Sequence, residues 1–135
     1  MRKPTRAREM ALKTLYQIDL REEIDESGVT ELLAQEEMAA DVRMHARTLV
    51  DGVRARQEEI DREIQDAAEN WDLPRMPTID RNVLRLGVYE IGWVDEVPPK
   101  VAINEAIELV KRYGSAESGA FVNGILDKIV SRRSV

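Results

Sequence analysis

The stretch Val97–Leu126, VPPKVAINEAIELVKRYGSAESGAFVNGIL, reads as two helices joined by a tight connection marked by glycine. Pro98 and Pro99 stop the preceding segment and suit the first turn of a new helix, because a fixed φ and a missing N–H cost nothing there. A helix therefore begins near Pro99. Ala102, Ala106, Leu109 and Tyr113 recur at i, i+4, i+7 and i+11, and Ile103, Ile107 and Val110 widen the stripe beyond half the helix, so it packs on more than one side. Gly114 stands where a left-handed C′ residue would end the helix, behind Lys111 and Arg112, whose charges suit the negative end of the helix dipole. Ser118 then offers a cap for a second helix with Val122, Ile125, Leu126 and Ile129 at core spacing. Gly124 inside that helix costs roughly 1 kcal/mol against Ala. Close approach of a neighbouring helix is the expected reason, and backbone approach by a ligand is the alternative.

Working outward, the two prolines of Trp71–Pro77, WDLPRMP, end the preceding helix and mark a joint between helical subdomains of about residues 1–72 and 73–135. Thr78 is a cap for the next helix. Its Ile79, Val83, Leu86 and Glu90 share one face while Leu84, Val88 and Ile91 share another, so the helix is central. Glu90 then becomes a buried carboxylate, which needs hydrogen-bond or charge partners. Upstream, Val42, Ala46, Leu49, Val53, Gln57, Ile60, Ile64, Ala67 and Trp71 step by three or four along a helix that starts about Ala39. Unbroken, it would span roughly 45 Å at ~1.5 Å per residue. Gly52 and the Arg54–Glu59 run are where it could bend. Thr30 offers a cap for a short turn through Leu32 and Leu33. The first helix starts about Thr5, its cap, with Ala7, Met10, Ala11, Thr14, Leu15 and Ile18 as the core stripe. Leu12 and Tyr16 form an i, i+4 pair off that stripe, either a partner surface or a strip covered from within. The expected fold class is all-α, a two-subdomain helical bundle of about six to seven helices.

Read as motifs, PPKVAINEAIELVKRYG followed by FVNGILDKI resembles the signature of the NusB family of bacterial transcription antitermination factors. RAREMALKTLYQID, NWDLPRM and IDRNVLRLGVYEI agree with that family too, so only Leu20 to about Ala40 lies outside the resemblance. The resemblance implies a single NusB-like RNA-binding domain over residues 1–135 that pairs with the ribosomal protein NusE and holds the boxA element of nascent transcripts. It also implies roles. Arg6, Arg8, Glu117, Ser118, Phe121 and Asn123 match positions at or near the family's RNA surface, whereas Tyr16 and Asp80 match positions linked to the protein partner. Ala120 departs from the family, in which a basic or polar residue is common before this Phe.

A chain of 135 residues, 43% hydrophobic and 34% charged, suits one soluble domain. Cysteine is absent, which removes disulfide and thiolate chemistry and is compatible with the cytosol. No start resembling a secretory signal and no run near ~20 apolar residues is present, so no membrane association and a cytoplasmic location are expected. The formal charge of −6 is unevenly spread. Residues 1–18 carry a net +4, residues 19–72 a net −11 and the remainder a net +1. A basic end on an acidic protein fits a localised phosphate-binding patch or, more plainly, a solvated terminus.

Enzymatic readings fail by lack of parts. There is no cysteine, one histidine (His45, beside a core stripe), no phosphate-cradling glycine loop and no metal-spaced cluster. No catalytic residue, metal or cofactor is therefore assigned. By the resemblance, the function expected is that of a non-enzymatic antitermination factor that binds boxA-like single-stranded RNA with NusE in the transcription elongation complex, supporting ribosomal RNA transcription. Arg2, Lys3, Arg6 and Arg8 would hold phosphates. Glu117, Ser118, Phe121 and Asn123 would by the resemblance lie at or near the RNA, with Phe121 either stacking on a base or packing in the core. Leu12, Tyr16, Asp80 and Leu84 are the expected partner-binding residues. The alternative is a helical homodimerisation module without RNA, for which Leu12, Tyr16, Leu84 and Val88 would serve.

Overall fold

The computed structural model describes residues 2–21, 24–36 and 39–134. Among them are seven α-helices and no strand: α1 (Lys3–Leu20), α2 (Glu26–Glu36), α3 (Ala40–Ala55), α4 (Gln57–Ala67), α5 (Thr78–Trp93), α6 (Pro99–Tyr113) and α7 (Ser118–Arg133), with a 3-10 turn at Leu73–Arg75. The all-α expectation and its helix count hold. The chain divides into two compact units, Met1–Ala55 and Arg56–Val135. The division comes well before the proline-rich joint at Trp71–Pro77, because the long helix expected from Ala39 to Trp71 is two helices. Arg56, at φ −119° and ψ 17°, leaves the helical region between them. Charge placement suits the break: Arg54 lies in the last turn of α3, while Glu58 and Glu59 lie in the first turn of α4.

In the first unit α1, α2 and α3 pack against one another. Ala7, Met10, Ala11 and Leu15 of α1 are buried with Val29 and Leu33 of α2 and Val42, Ala46, Leu49, Val50 and Val53 of α3. Each fully buried Val or Leu contributes about 1.5–3 kcal/mol relative to exposure. Arg47 of α3 ties that helix to α2, donating to Thr30 Oγ1 at 2.8 Å and to the Glu26 carboxylate. Thr30 lies inside α2 and donates to the Glu26 carbonyl at 3.0 Å, so it is no cap. Asp25 is the residue that accepts a first-turn N–H, from Gly28 at 2.9 Å.

In the second unit α5 is central, packing on α4, α6 and α7. Residues 82–88 are all buried, as is Glu90, in agreement with its place on the stripe. Among the described residues no buried side-chain nitrogen or oxygen lacks a hydrogen-bond partner. The close helix approach occurs at Gly87, not at Gly124. A Cβ on Gly87 would lie 2.9 Å from Leu126 Cδ1 and 3.7 Å from the Ala106 Cβ, so α5, α6 and α7 meet there without a side chain between them. A Cβ on Gly124 would meet nothing within 4 Å. Arg85 fastens α5 to α4 through two bonds to Asp61, Nε to Oδ1 at 2.8 Å and Nη2 to Oδ2 at 3.0 Å. At the far end, Arg133 donates to both Glu63 oxygens at 2.9 and 2.6 Å and lies 4.8 Å over the Trp93 ring.

Helix starts use proline where hydroxyl caps were expected at α1 and α5, and where proline was expected at α6. Pro77 and Pro98 occupy the N-cap positions of α5 and α6, Pro4 lies in the first turn of α1, and none of these starts has a side-chain cap bond. Thr5 and Thr78 are inside their helices. Trp71, expected at the end of a core stripe, lies beyond α4 and is exposed.

Candidate functional site

The candidate residues belong to both units. In the first, α1 begins at Lys3 because Pro4 is preorganised for a first turn, and this start sets out the basic arm. Arg2 is exposed. The Lys3 side chain is 73% exposed, and its Nζ donates to Asp41 Oδ2 at 2.7 Å. That pairing holds the Lys3 ammonium above its usual pKa and the Asp41 carboxyl below. Arg6 is half-buried and donates from Nη1 to Glu9 Oε1 at 2.6 Å. Arg8 is only 5% exposed. The arm therefore presents three cations to solvent, and Arg8 stands behind them. Its burial makes the inward face of α1 wider than one stripe, and that face also takes in Leu12 at 1% exposure. Tyr16, one turn on, is half-buried.

In the second unit the α6–α7 connection is held from below. Gly114 is extended, at φ −98° and ψ −168°, and no described residue has a positive φ. Glycine is needed at 114 for space instead: a Cβ would lie 2.8 Å from both the Val110 carbonyl oxygen and Ser118 Oγ. Ser118 does not cap α7. Its hydroxyl accepts from the Ser115 N–H at 3.0 Å and donates to Asp80, with Oδ1 at 2.8 Å and Oδ2 at 3.0 Å. Asp80 is 4% exposed, and burial raises its carboxyl above the usual value, opposed by the Ser118 hydrogen bond. Glu117 and Asn123 are exposed on either side of Phe121. Phe121 is half-buried, with its ring centroid 5.5 Å from that of Trp71 in an edge-on contact at 72°.

Trp71 is the residue that periodicity misses. Its three-to-four spacing after Ala67 places it on the core stripe, yet the helix ends before it and the residue is 52% exposed. The turn that presents it is fixed by Gln65, which donates to the Trp71 carbonyl at 2.6 Å and accepts from the Leu73 N–H at 2.9 Å. The available signal is the pair of prolines just downstream. Among the described residues no group of three or more His, Cys, Asp or Glu side chains is placed to hold a metal ion. Among them, too, no helix is long and apolar enough to cross a membrane.

Residues 5–131, nearly the whole chain, match the NusB family. The chain belongs to the NusB family. Transcription antitermination protein NusB of Anaeromyxobacter sp. (strain Fw109-5) is 52% identical over 134 residues, covering 96% of this chain and 90% of that protein. The structure of T. maritima NusB superposes with a TM-score of 0.86 at 37% identity, over 95% of this chain and 90% of that one. A crystal structure of antitermination factors NusB and NusE in complex with dsRNA gives a TM-score of 0.88 at 32% identity, over 98% of each chain. A NusB is an antitermination factor, a regulatory protein rather than an enzyme.

Set on this NusB fold, the expected RNA positions separate by burial. Arg2, Lys3, Glu117 and Asn123 are exposed and Arg6 and Phe121 partly so, while Arg8 and Ser118 are buried. The expected partner positions change more. Leu12, Asp80 and Leu84 are all buried, leaving Tyr16 as the one with surface to offer. Asp80 shares a face with Leu84 and Val88, and that face is turned inward.

Proposed function

We propose that this member of the NusB family holds boxA-like single-stranded RNA together with the ribosomal protein NusE, within the cytoplasmic transcription elongation complex, in support of ribosomal RNA transcription. The observation that carries the reading is the exposed basic arm of α1 on an otherwise acidic chain, in a fold shared with a NusB crystallised with NusE and dsRNA. The mechanism is tethering. Arg2, Lys3 and Arg6 take phosphates, Lys3 and Arg6 exchanging the carboxylates of Asp41 and Glu9 for them. Glu117, Phe121 and Asn123 on the second unit meet bases, with Ser118 and Asp80 setting the turn that carries them. Tyr16 belongs to the NusE surface.

Buried Arg8 alters the expected salt dependence. Three phosphate contacts on a single strand give a slope of log K against log salt of about −2.1, against about −2.8 for four. The test is an anisotropy titration of a boxA-like oligonucleotide, with and without NusE, across a salt series. Binding strengthened by NusE with a slope near the shallower value supports the reading, and an affinity indifferent to salt refutes it. The alternative of a dimerisation module draws no support from Leu12, Leu84 or Val88, which are all buried.

A further inference from the structure

The second unit contains a groove of about 300 Å³ between the turn after α4 and the outer face of α7. Trp71 and Phe121 line it together with Ala120 and Gly124 of α7, and Asn70 and Lys128 are polar members of the lining. Three observations on it have no use within the chain. Trp71, a large apolar ring, is half exposed there although its backbone is held by Gln65. Gly124 weakens a helix interior, yet neither a positive φ nor a close neighbour requires it. Ala120 and Gly124, one turn apart, leave this strip of α7 nearly bare of side chain. A strip of bare backbone beside an exposed ring is what a flat ligand needs in order to lie close to a helix.

We infer that this groove seats one unstacked base of single-stranded RNA on the Trp71 ring, with the Gly124 backbone beneath it. The inference rests on the RNA reading above and adds the place where a base goes. Volume and charge decide between occupants. About 300 Å³ is the lower end of the range for small-molecule sites, which suits a single planar ring system rather than a helix or strand of another protein. Lys128 has its Nζ 3.3 Å from the Ala67 carbonyl oxygen, a neutral acceptor that a phosphate can outcompete. Glu69, also in the lining, lies 3.9 Å from Arg132, so its charge is offset. Asn70 supplies donors and an acceptor for a base edge. Phe121 also positions the Trp71 ring through its edge contact, while its exposed part stays open to RNA.

The chain has two tryptophans, so a Trp93→Phe background leaves Trp71 as the reporter. In that background a boxA-like single-stranded RNA should quench Trp71 fluorescence, and an abasic strand of the same length should bind without quenching. Trp71→Ala should lose roughly 5- to 150-fold in RNA affinity with the salt slope unchanged, the range expected for one stacked base. Gly124→Ala separates binding from unfolding. It should raise the melting temperature while weakening RNA binding, a pairing that a purely structural glycine would not give. Full RNA affinity in both variants overturns the inference and leaves the basic-arm reading standing. Quenching by NusE in place of RNA also overturns it, since the groove would then be a protein surface. An intact chain that binds no RNA at any salt overturns both.

Discussion

Asp80 and Ser118 place a buried carboxyl under the turn between α6 and α7, and its titration gives a test. Folding raises its pKa from 3.8, so the folded chain holds this proton more tightly than the unfolded chain. Stability from this site is therefore fully present below about pH 3.8 and falls as pH rises through the raised folded value. Asp80→Asn keeps an acceptor for the Ser118 hydroxyl and removes the charge. Its melting temperature should gain on that of the parent chain as pH rises above about 3.8, and a difference that does not change with pH would contradict the assignment. Asp80→Lys should cost at least about 3 kcal/mol, because it leaves an unpaired cation in a buried place. Asp61→Ala removes the carboxylate that buried Arg85 holds with two bonds, leaves its bond to Asn82 at 3.2 Å, and should destabilise the chain by about 1.5–3 kcal/mol in urea unfolding. Single residues are unevenly legible in the sequence. The stripe marks Glu90 as buried, whereas Asp80 reads as surface because an acid in the first turn of a helix has a ready explanation in the dipole. Its spacing to Leu84 and Val88, four and eight residues on, is the contrary signal. Arg8 escapes for a similar reason: a charge run near a terminus looks solvated.

At the scale of helices, two glycines have opposite surroundings, and the same substitution separates them. Gly87→Ala pushes a methyl into Leu126, which is fully buried, and should cost about 1–3 kcal/mol. Gly124→Ala meets open space and should stabilise by about 0.5–1 kcal/mol. Thermal melts of the two variants check both signs. Helix existence is plain from the three-to-four spacing of apolar residues, and α6 begins at Pro99, where the two prolines put it. Helix ends are less plain. Thr5, Thr30, Thr78 and Ser118 all have the chemistry of a cap, but their use depends on which backbone N–H faces them, and proline preempts it at α1 and α5. The break at Arg56 has no proline or glycine to announce it. It falls inside the Arg54–Glu59 run, where a bend was expected, and the reversal of charge from Arg54 to Glu58 and Glu59, a cue of about 0.3–1 kcal/mol per charge, marks it.

For the whole molecule, RNA affinity should follow the charge of α1 more than the net −6. Removing residues 1–5 and changing Arg6 to Ala takes away all three cations that the arm presents, and salt-titrated binding should lose nearly all of its slope of about −2.1. An unchanged slope would make the arm a solvated terminus. Fold class is legible because it rests on spacing repeated over the whole chain, and the family because motifs such as PPKVAINEAIELVKRYG resemble its signature letter by letter. The exposed ring of Trp71 is not, because it depends on where a helix stops. The end of α7 governs how the protein can be handled and how it is destroyed. Arg133 holds Glu63 and covers Trp93, and its guanidinium fills the space over Gly92, where a Cβ would come within 2.8 Å of Cζ. An exopeptidase or an affinity tag therefore meets a boundary at this side chain. Digestion through Arg133 removes the Glu63 ion pair and one of the two guanidinium groups over the Trp93 ring, leaving Arg56 on that ring and the Lys128 contact of α7 with the end of α4, so the end of the helix loosens before the bundle does.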